Sequence, residues 1–311
     1  MKLAVYKPEQ KKEWDDFIEQ SKNGLFMFKR DYMDYHSDRF EDHSLLFYDD
    51  KKLIAVLPAN IKDNILYSHQ GLTFGGVVSD YSMKTQTMLD LFASLKRYLR
   101  ENNFSKCVYK AIPYIYHKIP AQEDLYALSV NKAILSRVDV STTIDLSQNI
   151  RMSSLRKRGS KKAKKSDVLI SVSDDFEGFM SLLETVLMDR HETQPVHSLD
   201  EIVRLKKSFP MNVKLYEASN EHHRFLAGVV VFEYENLIHA QYIAASEKGR
   251  ELGALDLLFV ELIENVYQSK RYFDFGISTE KMGLFLNQGL VSQKEGFGGR
   301  AIVHQFYELY A

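Results

Sequence analysis

Apolar residues recur along this chain with a period near 3.6 in some stretches and 2 in others, which marks amphipathic helices and half-buried strands. Residues 2–6 alternate as a strand, and Pro8 opens a helix over 9–20 with Trp14, Phe17 and Ile18 on one face. A second, short helix is expected over 31–37. Residues 44–48, 53–59 and 65–68 read as strands, the first two joined by a tight turn at Asp49 and Asp50. A long helix over 83–101 carries Met88, Leu91, Phe92, Leu95, Tyr98 and Leu99 as one apolar stripe. A strand over 104–110, a helix over 123–131 and a strand region over 134–146 complete this half.

The second half repeats the order. A strand over 168–172, helices over 176–190 and 199–208 and strands over 213–218, 225–234 and 237–244 lead to another striped helix. Leu255, Leu258, Phe259, Leu262, Ile263 and Val266 form its buried face, and the strand YFDFG follows. Both halves read β-α-α-β-β-β-α-β. The pattern predicts an α/β (α+β) protein of two similarly built domains, over 1–147 and 167–311, each a mixed central sheet flanked by helices. A basic linker helix over 148–166 joins them.

Length and composition agree with this picture. A chain of 311 residues suits two domains, and 45% hydrophobic residues suffice for two cores. A net charge of −1 gives no overall field to attract nucleic acid or a membrane surface. The single cysteine, Cys107, lies in the apolar run FSKCVYKAI and reads as a core residue, excluding an internal disulfide framework. The N-terminal stretch has no apolar run of signal-peptide length, and no segment approaches the roughly 18 apolar residues of a membrane helix. A cytoplasmic protein without a membrane span is expected.

The stretch YFDFGISTEKMGLFLNQGLVSQKEGFGGR, residues 272–300, interleaves glycines with Asp274, Glu280, Lys294 and Arg300. Such a run suits a site that holds polar or anionic groups, and it also reads as a bulge and tight turns with solvated charges. Residues 151–165 carry eight basic side chains and no acidic one. A solvated helix face, a nucleic-acid patch and a site for a phosphorylated substrate all fit that run. Where the first helix of the second half ends, MDRHETQPVHS supplies Arg190, His191, Glu192 and His197. The run reads as solvated loop charges or as a source of a base poised near neutrality, and the spacing matches no zinc pattern, so no metal is expected. In SEKGRELGALDLL, Gly249, Arg250 and Gly253 precede a helix, where backbone amides cradle anions.

The element order matches the GNAT acyltransferase fold, and two copies in one chain resemble the Fem-type peptidyltransferases and the related FemAB-like acyltransferases. The run FDFGISTEKMGLFLNQGLVSQKEGFGG is similar to the C-terminal Fem-like signature, which implies that Lys294 lies in the acyl-transfer site. An ammonium there stabilises the oxyanion that forms in the transition state. HQGLTFGGVVSDY resembles the Fem-like Gly-Pro-Val-x-Asp-Tyr loop through Gly76, Val77, Asp80 and Tyr81, without its proline and one residue longer. The resemblance implies that Asp80 and Tyr81 border the acceptor pocket, whereas by itself Asp80 reads equally as a helix cap. In FMFKRDYMDYH, His36 stands where the family has a basic residue facing acceptor phosphates, with Arg39 nearby. KKAKK matches the end of the family's basic helix, which implicates Arg158 and Lys162 in binding substrate. Arg250 and Gly253 fit the GNAT pyrophosphate motif, while Leu255 replaces its small third residue.

The resemblance implies an N-acyltransferase that moves an acyl group, acetyl above all, from acyl-CoA to the amine of an amino sugar or nucleotide-sugar in cell-envelope or polysaccharide synthesis. Lys294 would polarise the carbonyl, Asp274 and Glu280 would order the site, and His191 or Glu192 would be the base. One alternative is transfer from aminoacyl-tRNA to a peptidoglycan precursor, supported by the basic helix. Another is a non-catalytic protein binding a nucleotide-sugar or polysaccharide, which would tolerate loss of the Lys294 charge.

Overall fold

The computed structural model describes residues 1–149, 151–191, 193–222 and 224–311, and the side chains of His36, Arg190 and His191 also lie outside the described residues. The chain forms two compact units. One comprises Met1–Asp139, Lys281–Leu284 and Val303–Ala311; the other comprises Val140–Glu280 and Phe285–Ile302.

The first unit contains β1 (Lys2–Val5), α1 (Lys11–Gln20), α2 (Arg30–Met33), β2 (Glu41–Asp42), β3 (Leu45–Asp49) and β4 (Lys52–Leu57). It continues with β5 (Asn60–Lys62), β6 (Ile65–Tyr67), β7 (Val78–Ser79), α3 (Thr85–Glu101), β8 (Lys106–Lys110) and α4 (Glu123–Val130). Strands β1, β3, β4 and β7 form an antiparallel sheet in that order. A second set runs β2, β5, β6, β8, in which β6 and β8 are parallel. The periodicity predicts one strand over 53–59, but Pro58 breaks it because proline offers no N–H to a ladder. Ala59 instead donates its N–H to Ser44 Oγ at 3.2 Å, and its carbonyl accepts from His43 N at 2.9 Å. The expected helix over 31–37 is α2 followed by a 3₁₀ turn, Asp34–His36. The α3 stripe packs with Leu45, Leu57 and the fully buried Cys107 to make this unit's core.

The second unit begins within β9 (Ile134–Asp145) and continues with α5 (Ser154–Lys165), β10 (Leu169–Ser173), α6 (Phe176–His191), α7 (Leu199–Ser208) and β11 (Val213–Ser219). Then follow β12 (Phe225–Glu233), β13 (Leu237–Ala245), α8 (Glu247–Leu252), α9 (Ala254–Glu261), β14 (Tyr272–Ile277), β15 (Thr279–Glu280), β16 (Phe285–Leu286) and α10 (Gln288–Glu295). The last strand, β17 (Arg300–Tyr310), passes into the first unit at Val303 and pairs antiparallel with β8. The second unit's sheet runs β10-β11-β12-β13-β14-β9, with β13 and β14 parallel and the other neighbours antiparallel. Ala227, Val229 and Val231 share a core with Phe259 of α9. Gly228 faces the opposite way, and a Cβ there would stand 2.6 Å from the Phe179 ring, so this glycine lets α6 lie close against the other face. The helix expected through Val266 is α9 continued by one turn of π-helix, Leu262–Val266.

Candidate active site

The parallel ladder between β13 and β14 pairs Leu237 with Tyr272, Ile238 with Phe273 and His239 with Asp274, and ends there. Beyond it β13 runs on to Ala245 and β14 to Ile277 as separate strands. A pocket of about 220 Å³ lies in the parting. Leu255 and Phe259 reach it from α9, Val186 and Leu187 from α6, Ile243 from β13 and Phe275 from β14. Helices from both faces of the sheet line one pocket because no ladder closes the sheet at this point.

Lys294 of α10 also lines this pocket and is only 4% exposed. The register of β14 against β9 shifts between Asp274 and Ile277, and within this bulge Gly276 takes a left-handed φ of 75°. Lys294 Nζ donates to the Gly276 carbonyl at 2.9 Å and the Ile277 carbonyl at 2.7 Å. An ammonium has three N–H donors, and the third has no partner among the described residues. Burial pushes the amine down to about 8, partly offset by Asp274, so the cation still predominates at neutral pH.

Beneath this turn Asp274 is fully buried. Its Oδ1 accepts the hydroxyls of Ser141 and Thr143, both at 2.7 Å, and its Oδ2 lies 2.7 Å from Nδ1 of His239. A neighbouring hollow of about 390 Å³ shares Arg250, Leu255 and Gln293 with the first pocket and adds Gly249, Gly253 and Arg156. Ser246 caps α8 by accepting the Gly249 N–H at 3.0 Å, and Arg250 Nη1 donates to the Ala245 carbonyl at 2.7 Å, tying α8 to the end of β13. Gly253 adopts a φ of 80° between α8 and α9, and a Cβ there would stand 2.5 Å from the Gly159 carbonyl oxygen. The backbones of α5 and α9 therefore touch. Arg156 of α5 holds Asp256 in the first turn of α9 at 2.6 Å.

Residues 151–282 match the family model of the acetyltransferase (GNAT) domain. This segment is a GNAT domain. Across the whole chain, the crystal structure of FemX aligns with a TM-score of 0.69 at 10% identity, covering 100% of this chain and 98% of its own. The structure of L-PGS from Bacillus licheniformis gives 0.63 at 13% identity, covering 98% of this chain and 92% of its own. A tandem GNAT protein from the clavulanic acid biosynthesis pathway gives 0.54 at 10% identity, covering 99% and 97%. At such identities the likeness concerns the fold: this chain has the tandem GNAT fold that its repeated element order implies. No curated protein matches it.

Within the GNAT domain and its C-terminal continuation, the chain brings several expected site residues together. Lys294 and Arg250 line one pocket, Gly249 and Gly253 line the adjoining hollow, and Asp274 lies under the turn that Lys294 caps. Others lie apart. Glu280 is exposed and accepts from Asn287 Nδ2 at 2.8 Å. Glu192 and the side chain of His191 fall outside the described residues. His197 is buried, and its N–H donates to the Tyr242 hydroxyl at 3.1 Å. Arg158 is exposed, and Lys162 Nζ donates to the Glu251 carbonyl at 2.6 Å.

In the first unit Asp80 is not the cap of α3, whose N-cap is Lys84 without a side-chain bond. Asp80 closes the preceding turn by accepting from Ser82 N at 3.1 Å and pairs with Lys52 at 2.6 Å. Tyr81 is exposed, Arg39 lies 3.9 Å from Asp38, and the side chain of His36 is outside the described residues. Sequence reasoning passed over His239. Its signal was slight: one polar position between the core residues Ile238 and Ala240.

Proposed function

We propose that this protein is an N-acyltransferase that moves an acyl group, acetyl above all, from acyl-CoA to an amine. The acceptor class we favour is an amino sugar, nucleotide-sugar or peptidoglycan precursor of cytoplasmic cell-envelope or polysaccharide synthesis. The observation that carries the reading is the buried Lys294 ammonium, with one N–H uncommitted among the described residues, in an apolar pocket between parted strands. A thioester carbonyl set against that N–H would gain stabilisation as its oxygen becomes an oxyanion. The donor's phosphates would lie in the adjoining hollow against Gly249, Arg250 and Gly253, with Arg156 as a second cation. Asp274 and Glu280 would order the turn, and His36, Arg39, Asp80, Tyr81, Arg158 and Lys162 would contact the acceptor. The base read from the sequence is His191 or Glu192.

One feature of the hollow favours a second reading, transfer from an aminoacyl-tRNA. Asp256 stands in the first turn of α9, where a pyrophosphate would meet like charge, and Arg156 is already engaged in pairing it. Calorimetric titration with acetyl-CoA tests the primary reading. Wild type should bind, and Arg250→Ala should weaken binding by about tenfold or more through loss of a charge-assisted contact. Failure of wild type to bind acetyl-CoA while binding alanyl-tRNA would replace the first reading with the second.

A further inference from the structure

We infer that the acyl group this site takes is bulky and apolar, a chain of about six to eight carbons or a single aromatic ring, rather than acetyl; the inference rests on the acyl-transfer reading above. The pocket between the parted strands measures about 220 Å³. A cavity of roughly 150 Å³ lined by Leu, Ile and Phe side chains holds a benzene molecule, and one water takes up roughly 30 Å³. The methyl of an acetyl group is close to a water in size, so most of the pocket would stay vacant around it. A vacant apolar wall forfeits its dispersion contacts, whereas a larger acyl group would recover them. Acetyl comes first by family resemblance; the volume favours a longer donor.

The walls set the chemistry of what would fill it. Among the described residues three polar side chains line the pocket, Arg250, Gln293 and Lys294. Arg250 and Gln293 also line the adjoining hollow, so they stand where the two spaces meet. Lys294 is the one polar side chain lining the remainder, and the acyl carbonyl would lie against it. The rest of an acyl group would meet hydrocarbon, including Val186 from α6, Ile243 from β13 and Leu290 from α10. A charged acyl body would lose its water there without gaining a side-chain partner. The space is also held open. Phe275 and Phe297 stack with ring centroids 5.6 Å apart, and Phe259 lies 5.0 and 5.1 Å from them at steep angles. All three rings are buried, and each holds the others in place, so the wall resists collapse into the void.

Calorimetric titration of wild type with acetyl-, butyryl-, hexanoyl-, phenylacetyl- and dodecanoyl-CoA reads this without needing the acceptor. Affinity should rise by about threefold per added carbon from acetyl to hexanoyl, with phenylacetyl-CoA beside hexanoyl-CoA. It should fall again at dodecanoyl-CoA, whose chain outgrows the pocket. Affinities for acetyl- and hexanoyl-CoA within about twofold of each other overturn the inference and leave acyl transfer standing. A rise that continues to dodecanoyl-CoA also overturns it, because an open apolar surface would then set the preference. Val186→Phe, which adds a ring from the α6 side, should cut the hexanoyl-to-acetyl preference by about tenfold or more. An unchanged preference places the chain elsewhere and overturns the inference. Leu290→Phe on α10 serves if melting shows that the first variant is unfolded. No binding of any acyl-CoA overturns the acyl-CoA reading above, and this inference with it.

Discussion

At the scale of single residues, the proposed chemistry turns on how far burial shifts Lys294. The amine is brought down to about 8 because few water molecules reach it, and below that value the cation is retained. If this cation stabilises the oxyanion, kcat should fall as pH rises through about 8, since deprotonation removes the charge. A pH–rate profile reads this directly. Lys294→Arg should abolish that descending limb, because a guanidinium stays charged across the accessible range. Lys294→Ala should lower kcat by about 10²–10³ while donor binding persists. Unchanged turnover in Lys294→Ala would remove this lysine from the transition-state role, whereas ligand binding without turnover in wild type would favour the non-catalytic binding reading. The lysine was legible from its motif, but its two carbonyl partners were not, since they depend on a bulge seventeen or eighteen positions earlier.

At the scale of elements, the contact between α5 and α9 decides the shape of the hollow beside the Lys294 pocket. Gly253 combines a left-handed φ of 80° with backbone contact at Gly159, so an alanine there meets both strain and overlap. Gly253→Ala should destabilise the protein by roughly 2 kcal/mol or more, read as a lowered urea midpoint at unchanged slope. The sequence marked Gly253 as part of an anion-binding motif, yet its contact is with another helix. Spacing alone could not reveal this, because α5 and α9 lie nearly one hundred positions apart and meet only once packed. The same limit applies to Asp256, whose partner Arg156 lies 100 positions away.

At the scale of the whole molecule, the two units use the same order of elements differently. In the second, β13 and β14 part beyond Asp274. In the first, the parallel strands β6 and β8 are stitched past their ladder: Ser68 N donates to the Val108 carbonyl at 2.9 Å, and Gly75 N to the Lys110 carbonyl at 3.1 Å. Lys110, brought down to about 8 by burial with Arg137 nearby, caps the carbonyls of His69, Gln70 and Leu72 at 3.1, 3.3 and 2.7 Å. That loop fills the place where a second parting would open. One acyl-CoA should therefore bind per chain, and calorimetric stoichiometry near two would refute this.

The sequence by itself determined the order of helices and strands, the doubling of that order and the residues of the C-terminal motif. These follow from periodicity and local backbone preference, which act over a few residues. Only the tertiary structure decided that His239 stands beside Asp274, that Lys294 caps a bulged turn and that one parallel pair opens while the other is sealed. Those outcomes depend on register and on which buried polar groups find partners, and both are settled between segments far apart in the chain. A histidine in an alternating strand has no distinguishing mark until the neighbouring strand brings a buried carboxylate to it.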